Sequence, residues 1–215
     1  QEALKRSAAA LRHGYRAVTA SDYEDLALEA DRSICRAKCF PNRNEDGSRD
    51  CGHVTLVVLQ TDYENGRKYF DVVRTRIMNY MKERISPQLS EQNRIHIIEP
   101  DFLELSVSVA LQAEEQGQVF EIRSSVEKRL SEFLNPITGN YQGAGWEIGS
   151  VPITAQILNA LKDIPGIYYI ENVRFTAYQQ GRQGRTEIDI YNNKASSPYT
   201  LPVSGSHEIV IKMKD

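Results

Sequence analysis

The most regular pattern along the chain is a two-residue alternation. Leu103, Leu105, Val107, Val109 and Leu111 are separated by Glu104, Ser106, Ser108 and Ala110, the pattern of a half-buried antiparallel strand. Val54-Thr55-Leu56-Val57-Val58-Leu59 is instead almost continuously apolar, which predicts a strand covered on both faces. Apolar residues recur at three- and four-residue spacing in Phe70, Val73, Ile77, Tyr80, Met81 and Ile85, predicting a helix that Pro87 stops. Val119, Ile122, Val126, Leu130 and Phe133 mark a second helix, and Ile153, Ile157, Leu158 and Leu161 a third. A shorter stripe, Tyr23, Leu26, Ala27 and Ala30, follows Ser21-Asp22-Tyr23-Glu24, where Ser21 and Glu24 have the spacing of a capping box. Residues 1–13 read as a further short helix. Strands are predicted at Ile34–Phe40, Ile95–Ile98, Ile167–Ala177, Thr186–Tyr191 and Glu208–Met213, with polar turns over 41–50 and 179–185.

This order predicts an α+β protein of two small lobes, each a mixed or antiparallel sheet packed by helices on one side. Pro100 restricts Glu99 and cannot donate to a ladder. It sets the expected boundary between a first lobe over 1–99, with its N-terminal helical segment, and a second over 100–215.

One stretch breaks the periodicity. Between Phe133 and Gly149 the chain carries Pro136 and four glycines, Gly139, Gly143, Gly145 and Gly149, together with its single tryptophan, Trp146. A phosphate-cradling loop would need a preceding strand and a closing GK[ST]. Here a helix precedes and the loop has no lysine, so the glycines read as turn formers and Trp146 as the anchor of an ordered structural loop.

Composition narrows the function. A net charge of −3 and an isoelectric point near 5.9 give no general attraction to nucleic acid. No apolar run approaches the ~20 residues that span a bilayer. No nucleophile elbow, HExxH or kinase motif is present, and His13, His53, His96 and His207 are far apart in sequence, so no enzymatic activity and no cofactor are expected. Three cysteines, an odd number, point to synthesis in a reducing compartment. Cys35, Cys39, Cys51 and His53 are the residue types of a zinc site. On one strand, however, Cys35 and Cys39 would be about 13 Å apart, and small buried hydrophobes are the plainer reading. Tyrosines crowd the last third of the chain. Tyr168 or Tyr169, whichever faces the core, is expected to be structural, whereas Tyr191 and Tyr199 flank a polar loop and are candidate interface residues.

Three segments together resemble the baseplate J-like family, the wedge proteins of contractile phage tails and related injection systems. They are Arg16-Ala17-Val18-Thr19-Ala20-Ser21-Asp22-Tyr23-Glu24-Asp25-Leu26-Ala27; Arg94-Ile95-His96-Ile97-Ile98-Glu99-Pro100 with the alternating strand after it; and Phe133-Leu134-Asn135-Pro136 through Gly145-Trp146-Glu147-Ile148-Gly149, followed by Ile164-Pro165-Gly166-Ile167 and Val173. The resemblance covers residues 10 to 177 in order. It leaves 41–50, the cysteines and the C-terminal tail unexplained. It implies the C-terminal portion of a wedge protein, made in the bacterial cytoplasm and built into a virion or injection-particle baseplate. Its implied partners are other wedge subunits and copies of itself, and its implied role includes the rearrangement that triggers sheath contraction. The alternative is a ligand- or peptide-binding module using the C-terminal strands.

Overall fold

The computed structural model describes residues 16–66, 68–114, 118–181, 184–188 and 197–213. The chain is α+β and divides into two compact units, Gln1–Pro100 and Asp101–Asp215. The helix expected over 1–13 lies outside the described residues.

The first unit opens with helix α1 (Ala20–Ala30). Its N-cap is Thr19 rather than Ser21. The Asp22 carboxylate accepts from the N–H groups of Val18, at 3.0 Å, and Thr19, at 2.7 Å, closing the capping box two residues earlier than expected. Glu24, the residue expected to close it, instead accepts from the Cys39 N–H at 2.9 Å, tying α1 to the sheet.

Strands β1 (Ile34–Arg43) and β2 (Arg49–Gln60) form an antiparallel hairpin, so most of the polar stretch 41–50 is strand and hairpin tip. A short helix α2 (Tyr63–Gly66) leads to α3 (Phe70–Lys82). Pro87 does not stop α3, which already ends at Lys82. It opens the short helix α4 (Pro87–Glu91) at a first-turn position, where the missing N–H costs nothing. Strand β3 (Ile95–Ile98) pairs parallel to β2, giving the order β1-β2-β3.

The core of this unit joins Leu26 and Ala27 of α1, Leu56 and Val58 of β2, Ile77 and Met81 of α3 and Ile97 of β3. On the opposite face of β2, Thr55, Val57 and Leu59 are also fully buried, as the continuous apolar run predicts.

In the second unit β4 (Asp101–Ala113) is the spine. Every second residue from Leu103 to Ala113 is buried, and burying each large aliphatic side chain contributes roughly 1.5–3 kcal/mol. β5 (Ile167–Gly181) runs antiparallel to it and β6 (Gly184–Ile188) antiparallel to β5. On its other edge β4 pairs parallel with β7 (Thr200–Ser204) and then with β8 (Glu208–Met213). The alternation predicted an antiparallel strand, and β4 is that on one edge only. Helices α5 (Val119–Phe133) and α6 (Thr154–Leu161) pack on this sheet, α5 near β8 and α6 near β5.

β7 was not expected from the sequence. It is short and carries Pro202, which pairs opposite Leu103. The gap between β7 and β8 is bridged by Gly205, whose N–H donates to the Leu105 carbonyl at 2.9 Å, and by His207. The Val107 N–H donates to His207 Nδ1 at 3.2 Å, so the ring proton is on Nε2, 3.0 Å from Ser204 Oγ.

Burial holds the His207 pKa below its ordinary value, against a small opposing pull from Glu127. His96 in the first unit is also lowered, chiefly by burial, with His53 adding to it and Glu45 and Asp50 opposing. A histidine depressed in the native state leaves the unfolded chain binding more protons, so its stability is intact above about pH 6.5 and is lost as pH falls from there through the native value. The melting temperature is therefore expected to be lower at pH 5.5 than at pH 7.5. His207→Asn, which keeps an acceptor for Val107 N–H but cannot titrate, is expected to flatten that slope in scanning calorimetry. An unchanged slope would contradict this account of His207.

Candidate functional site

The loop from Asn135 to Gly149 is built on the C-terminal end of α5. Asn135 Oδ1 accepts from the N–H groups of Ile137 and Thr138, at 2.9 and 3.0 Å, so one side chain shapes the first turn around Pro136. The carbonyl of Phe133, left open where α5 ends, accepts from the Asn140 N–H at 2.9 Å and from Trp146 Nε1 at 2.8 Å. Trp146 is 2% exposed. Its ring meets that of Phe133 edge-on, with centroids 5.4 Å apart and planes at 88°, a favourable quadrupole arrangement.

The glycines have different tasks. A Cβ on Gly139 would lie 2.3 Å from the Phe133 carbonyl oxygen and 2.4 Å from that of Asn135. Gly143 and Gly145 turn with φ of 68° and 74°. Gly149, with φ of 90°, donates to the Thr200 carbonyl at 2.7 Å and passes so close to Pro198 that a Cβ would sit 2.8 Å from its oxygen. The loop is thus tied at one end to α5 and at the other to the start of β7. Its backbone N–H groups at Gly139, Asn140, Gly145, Trp146 and Gly149 all donate within the protein, so they do not form a free anion cradle.

Beside the loop, a cleft of about 440 Å³ is lined by Arg129, Glu132, Tyr141, Asn159, Lys162 and Asp163. Tyr141 is held across it, its hydroxyl donating to the Gln156 carbonyl at 3.1 Å and accepting from Asn159 Nδ2 at 3.3 Å. Sharing Asn159 and Lys162 with that cleft, a more apolar groove of about 470 Å³ runs along the start of β5, past Leu158, Tyr168, Tyr169 and Ile170.

Tyr168 and Tyr169 are 50% and 59% exposed, so neither faces the core. The β4–β5 register shifts twice here, between Ala110 and Leu111 and between Gln112 and Ala113, and such bulges break the alternation that would have buried one of the pair. Tyr199, expected at an interface, is instead 1% exposed and packed in the core at the entrance to β7. Tyr191 lies outside the described residues.

The candidate metal ligands do not converge. Cys35 is exposed and its thiol donates to the Leu59 carbonyl at 3.3 Å. Cys39 is buried, its pKa pushed up to about 12 by burial and then by Glu24, so it is a neutral thiol in the core. A register shift between Ile34 and Arg36 puts the two cysteines in different environments despite their even spacing. Cys51 is exposed at the start of β2. His53 instead meets His96, with Nδ1 and Nε2 2.9 Å apart. The planes are 6° apart and the centroids 5.2 Å apart, which puts the rings edge to edge with a shared N–H···N between them, leaving no room for an ion on that axis. Asp50 lies on the far side of His53, 3.5 Å from Nε2. Among the described residues no group of three or more His, Cys, Asp or Glu side chains gathers as a metal site.

No family model and no curated protein matches the sequence. Among solved structures, the chain is similar to one chain of "the anti-feeding prophage (AFP) baseplate, 6-fold symmetrised", determined by cryo-EM, with 14% identity and a TM-score of 0.58. The likeness covers 95% of this chain and 40% of that one. At this identity the likeness is one of fold, and this two-unit α+β fold therefore recurs within a longer chain of a baseplate.

Proposed function

We propose that this chain is a structural component of the baseplate of a contractile tail or injection particle, contributing a wedge subunit and its contacts rather than catalysis. The observation that carries this reading is the fold likeness over nearly the whole chain to a baseplate chain. The order of the three sequence segments that resemble the baseplate J-like family supports it independently. On this reading other baseplate subunits, and copies of this chain, are the partners, and the particle is the site of assembly.

The Pro136–Gly149 loop then acts as a rigid joint within the second unit. It fixes the end of α5 and the start of β7 so that the surfaces beside them keep their shape under load. The alternative, a ligand- or peptide-binding module using the C-terminal strands, is weakened because Tyr199, a candidate interface residue, is in the core.

The test is multi-angle light scattering of the purified chain mixed with the baseplate proteins encoded beside it. A complex heavier than any single component is expected. A chain that elutes alone with every one of them would contradict the proposal.

A further inference from the structure

A cleft of about 340 Å³ in the first unit lies where the end of β2 meets the start of α3. Its lining includes Asp31, Ser33, Gln60, Asp62, Tyr69 and Arg76. Gln60, the last residue of β2, is 7% exposed, yet among the described residues its Oε1 has no hydrogen-bond partner. Buried polar atoms without partners are rare in native proteins and call for an explanation. A buried glutamine at the floor of a cleft points to a group that comes from outside.

The chemistry of the lining defines that group. Acceptors predominate: Gln60 Oε1 and the carboxylates of Asp31 and Asp62, the last also accepting from the Asn65 N–H and Nδ2. Among the described residues of the lining the one cation is Arg76, and it is already committed, with Nη1 2.9 Å from Asp31 Oδ2. Ser33 N–H also donates to Asp31, at 2.9 Å, and burial of the carboxyl is outweighed by these bonds, which hold it ionised. The rim is apolar: Tyr69 is 66% exposed and Val72 51%. An incoming group must therefore supply several donors at its tip and an apolar stem behind it, and a positive charge meets Asp62.

We propose that this cleft receives an arginine side chain presented by a partner protein. A guanidinium offers a planar fork of donors to acceptors that are spread apart, and it stacks on an aromatic ring better than an ammonium does. Its aliphatic stem then lies along Val72. The inference does not depend on the baseplate reading; if that reading holds, the arginine belongs to a neighbouring subunit.

The test is an NMR titration of the ¹⁵N-labelled full chain with N-acetyl-arginine-N′-methylamide. The norleucine analogue, which keeps the stem and lacks the charge, is the control. Saturable shifts are expected at the amides of Ser33, Gln60, Asp62 and Val72, with the norleucine analogue at least tenfold weaker. Gln60→Met, which keeps length and removes the unmatched oxygen, is expected to weaken arginine binding at least fivefold while the melting temperature holds or rises. Asp62→Asn, on an exposed side chain, gives the same weakening if Gln60→Met fails to fold. Overturning results are no saturable shift, an equal response to norleucine, or unchanged arginine binding in the folded variants.

Discussion

Trp146→Ala is expected to destabilise the second unit by about 3–5 kcal/mol, the cost of emptying a large buried aromatic site. Three losses combine. The indole is 2% exposed, so its removal leaves a cavity. Its edge-on contact with Phe133 at 5.4 Å disappears. The Phe133 carbonyl also loses one of its two donors, Trp146 Nε1 at 2.8 Å. Trp146→Phe restores an aromatic ring but no donor, and should recover more than half of the loss. Urea denaturation followed by circular dichroism measures both, because the variants lack the only tryptophan of the chain. A midpoint unmoved by Trp146→Ala would make the indole dispensable to the loop and would overturn the joint proposed above.

The second large effect is expected at Gly139→Ala, a change of one methyl group. The added Cβ would lie 2.3 and 2.4 Å from two backbone oxygens, which cannot rotate away as a side-chain tip can. Relief requires the turn to open. That breaks the bonds from Gly139 N–H to the Asn135 carbonyl and from Asn140 N–H to the Phe133 carbonyl, both 2.9 Å. Overpacking of about 1–3 kcal/mol and two lost hydrogen bonds of about 1 kcal/mol each make a loss of about 3–5 kcal/mol the expected value. Gly143→Ala is the comparison. Its nearest atom would be the Thr138 oxygen at an ordinary 3.6 Å, so only the positive φ penalises it, at roughly 1 kcal/mol. Equal effects at the two positions would contradict the steric account of Gly139.

The parts of this fold set by local periodicity were legible in the sequence. The alternation from Leu103 to Leu111 placed β4, and the stripe from Val119 to Phe133 placed α5, because each buries one face of a regular element. Features decided by distant partners were not. Ser21 with Glu24 and Thr19 with Asp22 have the same capping-box spacing; the second forms because β1 supplies the Cys39 N–H that draws Glu24 away. β7 has five residues and a proline, and exists because β4 offers it a parallel edge. The exposure of both Tyr168 and Tyr169 follows from bulges in a register that no run of residues reveals by itself.

The loop was recognisable by its glycines and tryptophan, but its two attachments, the Phe133 carbonyl and the Pro198–Thr200 segment, were not. The first is an unfilled helix end and the second lies about fifty residues away in the chain. The Gln60 cleft left no sequence signal, since a glutamine closing an apolar strand looks like an ordinary strand end. Only the lack of a partner for its side-chain oxygen distinguishes it.

Membership of a baseplate, as proposed above, is open to direct test by quantitative mass spectrometry of purified contractile particles. Peptides from both units are expected at one fixed ratio to the other baseplate proteins in every preparation. Intact, contraction-competent particles that contain no peptide of this chain would contradict it.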